Sequence, residues 1–163
     1  KILDLEVDRV LLANGSETTR EVIRHKGAVV VLPLHDDGRV ELVRQYRYPM
    51  QEVLLELPAG KLDPGEEPVD CAARELAEET GWKPVEMHEL GSFFTTPGFS
   101  DEVLRAFIAT PLEPAPEVAQ DPDEAIEIVT MSVEEALEAC RSGEIRDSKT
   151  IATLFLAQLH GWI

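Results

Sequence analysis

Three glutamates in the middle of the chain have a spacing that favours metal binding: Glu75, Glu78 and Glu79. Pro68 suits the first turn of a helix and Gly81 suits the left-handed position just past its end, so residues 68–80 are predicted to be helical. On that helix the glutamates share one arc, where each neighbouring pair costs roughly 0.2–0.5 kcal/mol. A hard divalent cation bound by carboxylate oxygens would compensate the repulsion. The alternative interpretation is a solvated acidic face.

The same helix is predicted to pack through a second arc, which lies beside the glutamates. Its members recur at helical spacing and are Val69, Ala72, Ala73, Leu76 and Thr80. The packed arc and the acidic arc are expected to be separate, with the glutamates facing outward.

The loop and helix around these glutamates resemble the Nudix box, G-x5-E-x7-R-E-U-x-E-E-x-G-U, in which U is a bulky apolar residue. All nine specified positions match, namely Gly60, Glu66, Arg74, Glu75, Leu76, Glu78, Glu79, Gly81 and Trp82. The resemblance implies a hydrolase of nucleoside diphosphates linked to another moiety. It also implies that residues 60–82 form a loop–helix–loop that carries metal ions.

Segments outside the box are similar to the ADP-ribose pyrophosphatase branch of the Nudix hydrolases. They are RQYRYPM at 44–50, ELPAG at 56–60, TPGFSDE at 96–102 and DSKTI at 147–151. The similarity implies hydrolysis of ADP-ribose to AMP and ribose 5-phosphate. The first alternative is the same chemistry on another nucleoside diphosphate derivative, such as a nucleotide sugar, NADH or FAD. The second is a module that senses ADP-ribose without cleaving it, which the intact box disfavours.

The box resemblance further implies a set of metal ligands. They are the backbone carbonyl of Ala59 and the carboxylates of Glu75, Glu78 and Glu79. All-oxygen ligation favours Mg²⁺, with Mn²⁺ as an alternative, and two or more ions are expected. Glu79 and Glu78 are thereby catalytic candidates, although an ion pair with Arg74 explains Glu78 equally well. Arg74 is predicted to be structural, and Glu66 is either linked to the metal or favourable near a helix N-terminus.

Candidate substrate contacts lie before and after the box. Arg47 is implied by the resemblance to contact the phosphates, whereas Arg44 falls on the opposite face of a regular strand and is the weaker candidate. Glu56 is either a site residue or the solvent side of an alternating strand. The resemblance of the later loop implies further contacts from Pro97, Gly98, Ser100 and Glu102.

A general base is expected outside the box, because in the ADP-ribose branch the base lies on a separate loop. The acidic connection at 121–124 is the matching place in this chain. Glu124 is the first candidate to take a proton from the attacking water, and Glu127 is the second. The alternative is a solvated acidic loop without a catalytic role.

Hydrophobic periodicity and turn signals predict an α/β fold. Asn14-Gly15 joins segments 5–13 and 17–25 into an N-terminal antiparallel hairpin, and Asp37-Gly38 predicts a second hairpin between 28–34 and 39–46. Further strands are predicted at 53–57, 86–94, 102–110 and 125–131. Two later helices are predicted at 132–141, opened by a capping box at Ser132 and Glu135, and from Asp147 or Ser148 to His160. Together these elements predict one Nudix-type α/β/α sandwich with a mixed sheet, spanning residues 1–163.

Composition limits the classes of partner. The 163 residues carry 15 Lys and Arg against 32 Asp and Glu, a net charge of −17, which disfavours nucleic acid and anionic membranes as partners. The two cysteines have no metal or disulfide spacing, and no apolar run approaches the roughly 20 residues that span a bilayer. A cytoplasmic protein is expected. The ADP-ribose branch also implies a homodimer, in which the hairpin at 1–25 helps to close the pocket of the partner.

Overall fold

The structure is a computed structural model that describes residues 4–116 and 126–163. These residues form strands β1 (Asp4–Leu11), β2 (Glu17–Arg24), β3 (Ala28–Pro33), β4 (Arg39–Arg47), β5 (Glu52–Glu56), β6 (Ala59–Lys61), β7 (Trp82–Pro84), β8 (Met87–Phe94), β9 (Val103–Ala109), β10 (Leu112–Pro114) and β11 (Ile126–Ser132). They also form helices α1 (Pro68–Thr80), α2 (Val133–Ser142) and α3 (Ser148–Leu159). None of the helices in these ranges is long and apolar enough to cross a membrane.

A mixed four-stranded sheet with the order β6-β3-β9-β8 lies at the centre of the fold. Strands β3 and β9 are parallel, and the other neighbours in this sheet are antiparallel. A second sheet has the order β11-β4-β5, and two short ribbons pair β1 with β2 and β7 with β10.

Strand β3 is buried along its whole length because both of its faces are covered. Val30 and Leu32 belong to the core that includes Leu154 of α3, whereas Val29 and Val31 face α1 and contact the cluster around Leu76. A strand with two apolar faces requires a layer on each side. The predicted α/β/α sandwich with a mixed sheet is therefore confirmed.

The turn and capping signals in the sequence predicted most of the elements correctly. The N-terminal hairpin is antiparallel, with Leu5 opposite Ile23 and Leu11 opposite Glu17. Helix α1 has the predicted bounds and ends at Gly81 with φ 72°. The capping box of Ser132 and Glu135 is present at the start of α2. The strands β6, β7 and β10 were not predicted, because each is only three residues long and has no periodicity to read.

The predicted second hairpin is wrong. Strands β3 and β4 share only an isolated bridge between Leu34 and Val40, and β4 pairs with β5 and β11 instead. Both edges of β3 are taken by β6 and β9, so β4 has no edge of β3 to pair with. The Asp37-Gly38 turn therefore joins two sheets.

The predicted division of α1 into a packed arc and an outward acidic arc is also wrong in part. Val69 is exposed, whereas Glu79 is only 6% exposed. On the helical wheel Glu79 lies between the buried residues Cys71 and Leu76, so the buried arc includes one of the three glutamates. This places a carboxylate against the loop that enters the helix.

Candidate active site

The chain enters the site through a tight connection between β5 and α1. Leu57 and Pro58 follow β5 and are buried, and the amide of Val31 donates to the Pro58 carbonyl at 2.9 Å. The three residues of β6 then pair antiparallel with β3, with Ala59 opposite Val30. Residues 62–67 turn the chain into α1, which packs on the same strands. The backbone at Ala59 and Gly60 is thus fixed directly beneath the acidic side of the helix.

Two glutamates of α1 meet this backbone. The amide of Ala59 donates to Glu79 Oε2 at 3.1 Å. A Cβ added at Gly60 would lie 1.8 Å from Cδ of Glu75, so a side chain at this position would displace that carboxyl group. This contact explains why the box begins with glycine. Gly60 makes space for the carboxyl group of Glu75, which lies on the helix that follows.

Arg74 holds three carboxylates of the box together. Its Nε and Nη2 donate to the two oxygens of Glu66 at 2.8 and 3.0 Å, and its Nη1 donates to Glu75 Oε1 at 2.9 Å and to Glu78 Oε2 at 3.0 Å. The hydrogen bond from Arg74, followed by the one from the Asp63 amide, lowers the pKa of Glu66 to about 2. The pKa of Arg74 is raised by the same contact. We call Arg74, Glu66, Glu75 and Glu78 the Arg74 cluster.

The donor set fits a hard divalent cation by its chemistry. Every candidate ligand is an oxygen, and the space above Gly60 is occupied by a carboxyl group rather than by a side-chain methyl group. Within residues 4–116 and 126–163, no three His, Cys, Asp or Glu side chains are already gathered as a closed metal site. Arg74 instead bridges Glu75 and Glu78, so a cation would share these carboxylates with the arginine or replace its contacts.

Glu56 is the centre of a second, buried group of charges. It is 1% exposed, and its carboxylate receives Nε and Nη2 of Arg47 at 2.9 and 2.8 Å. Lys149 Nζ also donates to Glu56 and lies 3.0 Å from Asp147 Oδ2. We call Glu56, Arg47, Lys149 and Asp147 the Glu56 cluster. Of the two interpretations given above, the solvent side of a strand is excluded for Glu56.

The Glu56 cluster connects α3 to the entrance of the box. Asp147 caps the helix by accepting the Thr150 amide at 2.9 Å and the Thr150 hydroxyl at 2.7 Å. The Thr150 oxygen in turn accepts the amide of Leu57 at 2.8 Å. Burial raises the pKa of Glu56, but Arg47 and Lys149 together lower it by a larger amount. Its pKa is therefore below the ordinary value. The carboxylate is thus held ionised inside the protein.

Arg44 lies on the other face of the same strand. Its Nη1 donates to Glu127 Oε1 at 3.2 Å, and both side chains are largely exposed. Strand alternation separates it from Arg47, as the spacing of three residues predicts. The structure therefore does not bring the two arginines to one contact.

The loop of residues 95–102 is closed by short-range hydrogen bonds. The Thr96 carbonyl accepts the amides of Phe99 and Ser100 at 3.1 and 2.9 Å, which leaves Pro97 and Gly98 exposed at the tip. The Ser100 hydroxyl accepts the Glu102 amide at 3.2 Å. Glu102 is partly buried, and its carboxylate accepts the hydroxyl of Thr95.

Glu124, the predicted general base, lies outside the described residues. Lys149, Asp147 and Thr95 were not predicted as site residues, although the segment DSKTI was singled out by its similarity to the ADP-ribose branch. The signal that could have identified Asp147 is its position as a helix cap two residues before a lysine.

The sequence profile described as the NUDIX domain matches residues 24–154. The chain is 41% identical over 160 residues to an ADP-ribose pyrophosphatase of Bacillus subtilis, covering 98% of this chain and 86% of that protein. It is 39% identical, with the same coverage, to a methanol dehydrogenase activator of Bacillus methanolicus. It is 36% identical over 160 residues to a GDP-mannose pyrophosphatase of Yersinia enterocolitica, covering 91% and 83%.

One solved structure, described as an ADP compounds hydrolase, has the same fold. It superposes with a TM-score of 0.86 at 22% sequence identity, covering 97% of this chain and 85% of that one. At this identity the likeness concerns the fold, and it agrees with the sandwich described above.

Proposed function

Since this chain belongs to the NUDIX domain family and is a hydrolase of that family, we propose that it cleaves the diphosphate bond of ADP-ribose to give AMP and ribose 5-phosphate. One observation of the structure carries the chemistry: two carboxylates of the box helix are packed onto the backbone of Ala59 and Gly60. The substrate is supported by similarity over nearly the whole chain to an ADP-ribose pyrophosphatase.

Hydrolases of this family generally need divalent metal ions. We assign Mg²⁺ to this chain, with Mn²⁺ as a substitute and two or more ions in the site. The carbonyl of Ala59 and the carboxylates of Glu75, Glu78 and Glu79 would hold them. When bound, such ions neutralise charge on the diphosphate oxygens and lower the pKa of a bound water.

The protein's own cations then bind and orient the substrate. Arg47 is the main phosphate contact in this proposal, because Glu56 fixes its guanidinium from behind with two hydrogen bonds. Arg44 is assigned a lesser contact, since Glu127 already binds it. Pro97, Gly98, Ser100 and Glu102 are assigned to the rest of the substrate.

The proton of the attacking water needs an acceptor. We assign this role to Glu124, with Glu127 as the alternative. Water attacks one phosphorus of the diphosphate, the bond from that phosphorus to the bridging oxygen breaks, and the bridging oxygen leaves on the other phosphate. Glu124→Gln should lower kcat strongly with an unchanged Mg²⁺ dependence, and activity within a few-fold of wild type would remove Glu124 from this role.

We also assign a homodimer to this chain. One face of β1 presents the exposed apolar side chains Leu5, Val7 and Leu11, which are 62, 62 and 73% exposed. Such a row on a two-stranded ribbon fits burial against a second copy. Light scattering at micromolar concentration should give twice the chain mass, and a monomer there would contradict the assignment.

The second candidate substrate is a nucleotide sugar, because the chain is also similar to a GDP-mannose pyrophosphatase. A panel of ADP-ribose, GDP-mannose, NADH and FAD with Mg²⁺, with products separated by chromatography, distinguishes the two. The proposal expects AMP to be released fastest from ADP-ribose and to disappear when EDTA is added. Faster cleavage of GDP-mannose would move the assignment to nucleotide sugars. Binding of ADP-ribose without cleavage of any compound would overturn hydrolysis.

A further inference from the structure

The end of the N-terminal hairpin is attached to the loop assigned to the substrate. The Ile23 amide donates to the Phe99 carbonyl at 2.7 Å, and the Asp101 amide donates to the Ile23 carbonyl at 3.3 Å. These bonds form a parallel bridge between Ile23 and Ser100. We call residues 23–25 together with residues 99–102 the clasp.

The two residues after Ile23 extend this pairing with side chains. Arg24 Nη1 lies 3.5 Å from Asp101 Oδ2, and the His25 amide donates to Asp101 Oδ1 at 2.7 Å. The ring of His25 then reaches the next residue, with Nε2 3.4 Å from Glu102 Oε1. Thr95 donates to the other oxygen, Oε2, so each oxygen of the Glu102 carboxylate has a polar neighbour.

The position of the ring proton follows from a third contact. The Gly27 amide donates to His25 Nδ1 at 3.1 Å, so Nδ1 is an acceptor and the proton of the neutral ring lies on Nε2, facing Glu102. The ring is only 14% exposed, so its orientation is fixed by packing as well as by this bond.

Gly27 brings the box loop to the same place. Its φ of +96° and the 2.8 Å distance from an added Cβ to Leu62 Cδ1 both require glycine, and its carbonyl accepts the Leu62 amide at 3.3 Å. His25 therefore lies where the hairpin, the box loop and the substrate loop meet.

We propose that His25 is a positioning residue that holds the Glu102 carboxylate in place for the substrate, so that the clasp sets affinity rather than the rate of the chemical step. This inference rests on the proposed function, because it takes Glu102 as a substrate contact. It also assigns the hairpin a role within its own chain, in addition to any role in a dimer.

A pair of conservative variants separates positioning from packing. In His25→Gln the side-chain amide nitrogen can take the place of Nε2 beside the Glu102 carboxylate. In His25→Asn the side chain ends near the position of Nδ1, so it can accept the Gly27 amide but cannot reach Glu102. We expect KM for ADP-ribose to stay within twofold of wild type in His25→Gln and to rise about threefold in His25→Asn, because a polar contact of 3.4 Å contributes less than one full net hydrogen bond. The turnover number kcat should stay unchanged in both.

Glu102→Leu and Thr95→Val complete the test. Glu102→Leu removes both side-chain oxygens and should raise KM by itself, and adding His25→Asn to it should give little further rise, because the contact is already lost. Thr95→Val removes the other contact of Glu102 without changing the ring and should raise KM in the same way, which keeps the test valid even if His25→Asn folds poorly.

Two results would overturn the inference: equal KM values for His25→Asn and His25→Gln, or an undiminished effect of His25→Asn in the Glu102→Leu background. Absence of ADP-ribose cleavage by the wild-type enzyme would instead count against the proposed function. The same variants would then be compared on the substrate that the panel identifies.

Discussion

The two charged clusters at the site differ in their ratio of carboxylates to cations. In the Arg74 cluster one guanidinium is shared by three carboxylates, and Glu79 adds a fourth negative charge beside it. In the Glu56 cluster two carboxylates face two cations. The first group has an excess of negative charge, whereas the second is neutral as a whole.

Burial differs at the centres of the two clusters rather than throughout them. The central Glu56 side chain is 2% exposed, whereas the central Arg74 side chain is 31% exposed. An unpaired charge is costly in the interior, so the buried Glu56 carboxylate needs cations beside it, while the partly exposed Arg74 can be surrounded by more carboxylates than it neutralises. A group with more carboxylates than cations suits a divalent cation. A neutral cluster instead suits the role of holding the Arg47 side chain in one orientation.

Glu79 is the point at which the two clusters meet. The pKa of Arg47 is raised first by its hydrogen bond to Glu56, and the charges of Glu79 and Asp147 add to this effect. A phosphate bound by Arg47 would thus lie within electrostatic range of the metal-ligand candidates. Four substitutions test whether one cluster binds metal and the other binds substrate.

The largest effect is expected for Glu79→Gln. This change keeps the shape of a nearly buried side chain but removes the charge of a proposed metal ligand. The ratio kcat/KM for ADP-ribose should fall by about a hundredfold or more, because even indirect disturbance of a metal site typically costs 10- to 100-fold. A titration with Mg²⁺ and Mn²⁺ should show a raised half-saturating concentration, and a high concentration should restore part of the activity.

Asp70→Asn is the matched control for Glu79→Gln, since it removes one negative charge from an exposed position of the same helix. It should leave the metal titration unchanged. A Glu79→Gln variant that melts like wild type and has the metal titration of wild type would show that the excess charge of this region does not bind metal.

Gly60→Ala should have the next largest effect, about tenfold to a hundredfold in kcat/KM. The added Cβ would lie 1.8 Å from Cδ of Glu75, so that carboxyl group must move away from the backbone of the loop. The measurement is again kcat and KM across a range of Mg²⁺ concentrations, with a thermal melt to account for lost stability. A rise in KM without a fall in kcat at saturating Mg²⁺ would contradict the assignment of metal binding to one cluster and substrate binding to the other.

Local pattern predicted the ion pair of Arg74 with Glu78, but not the contacts of Arg74 with Glu66 and Glu75, and it predicted none of the contacts of the Glu56 cluster. The box residues lie within one loop and one helix, so spacing along the chain fixes their relative positions. Lys149, in contrast, reaches Glu56 across 93 residues, and only the packing of α3 on the sheet brings them together. The alternation of β5 left two interpretations of Glu56 open for the same reason.

The two wrong predictions, the second hairpin and the division of α1 into two arcs, have the same physical origin. The Asp37-Gly38 turn was located correctly, but the strand that pairs with β4 is chosen by which sheet edges remain open. The wheel of α1 gave the correct relative positions of its residues, yet the centre of the buried arc depends on where the helix lies over β3 and β6.

Lys149→Met tests the neutral cluster and should have a smaller effect. Glu56 keeps its two hydrogen bonds to Arg47 but loses one charged partner, which should cost about 2 kcal/mol of unfolding free energy. Because Arg47 is then less firmly held, KM for ADP-ribose should rise severalfold while the Mg²⁺ titration stays unchanged. Denaturant melts and initial rates measure the two effects.

Lys83→Met is the control for Lys149→Met, because Lys83 forms an ion pair with Glu113 in which both side chains are more than half exposed. It should change the unfolding free energy by less than about 1 kcal/mol. A shifted Mg²⁺ requirement in Lys149→Met alone would mean that the two clusters share the metal site.

The smallest effect is expected for Arg44→Gln, and its value lies in the comparison with Arg47→Gln on the same strand. Arg44 pairs with Glu127 at 3.2 Å, and the two side chains are 40 and 68% exposed, so the pair should contribute between about 0 and 1 kcal/mol to stability. Its loss should raise KM by no more than about twofold, whereas Arg47→Gln removes a charged hydrogen-bond donor and should raise KM by about tenfold or more. Equal rises would mean that the strand bends enough for both arginines to reach the diphosphate, and substrate binding would then extend beyond the neutral cluster to the other face of the β11-β4-β5 sheet.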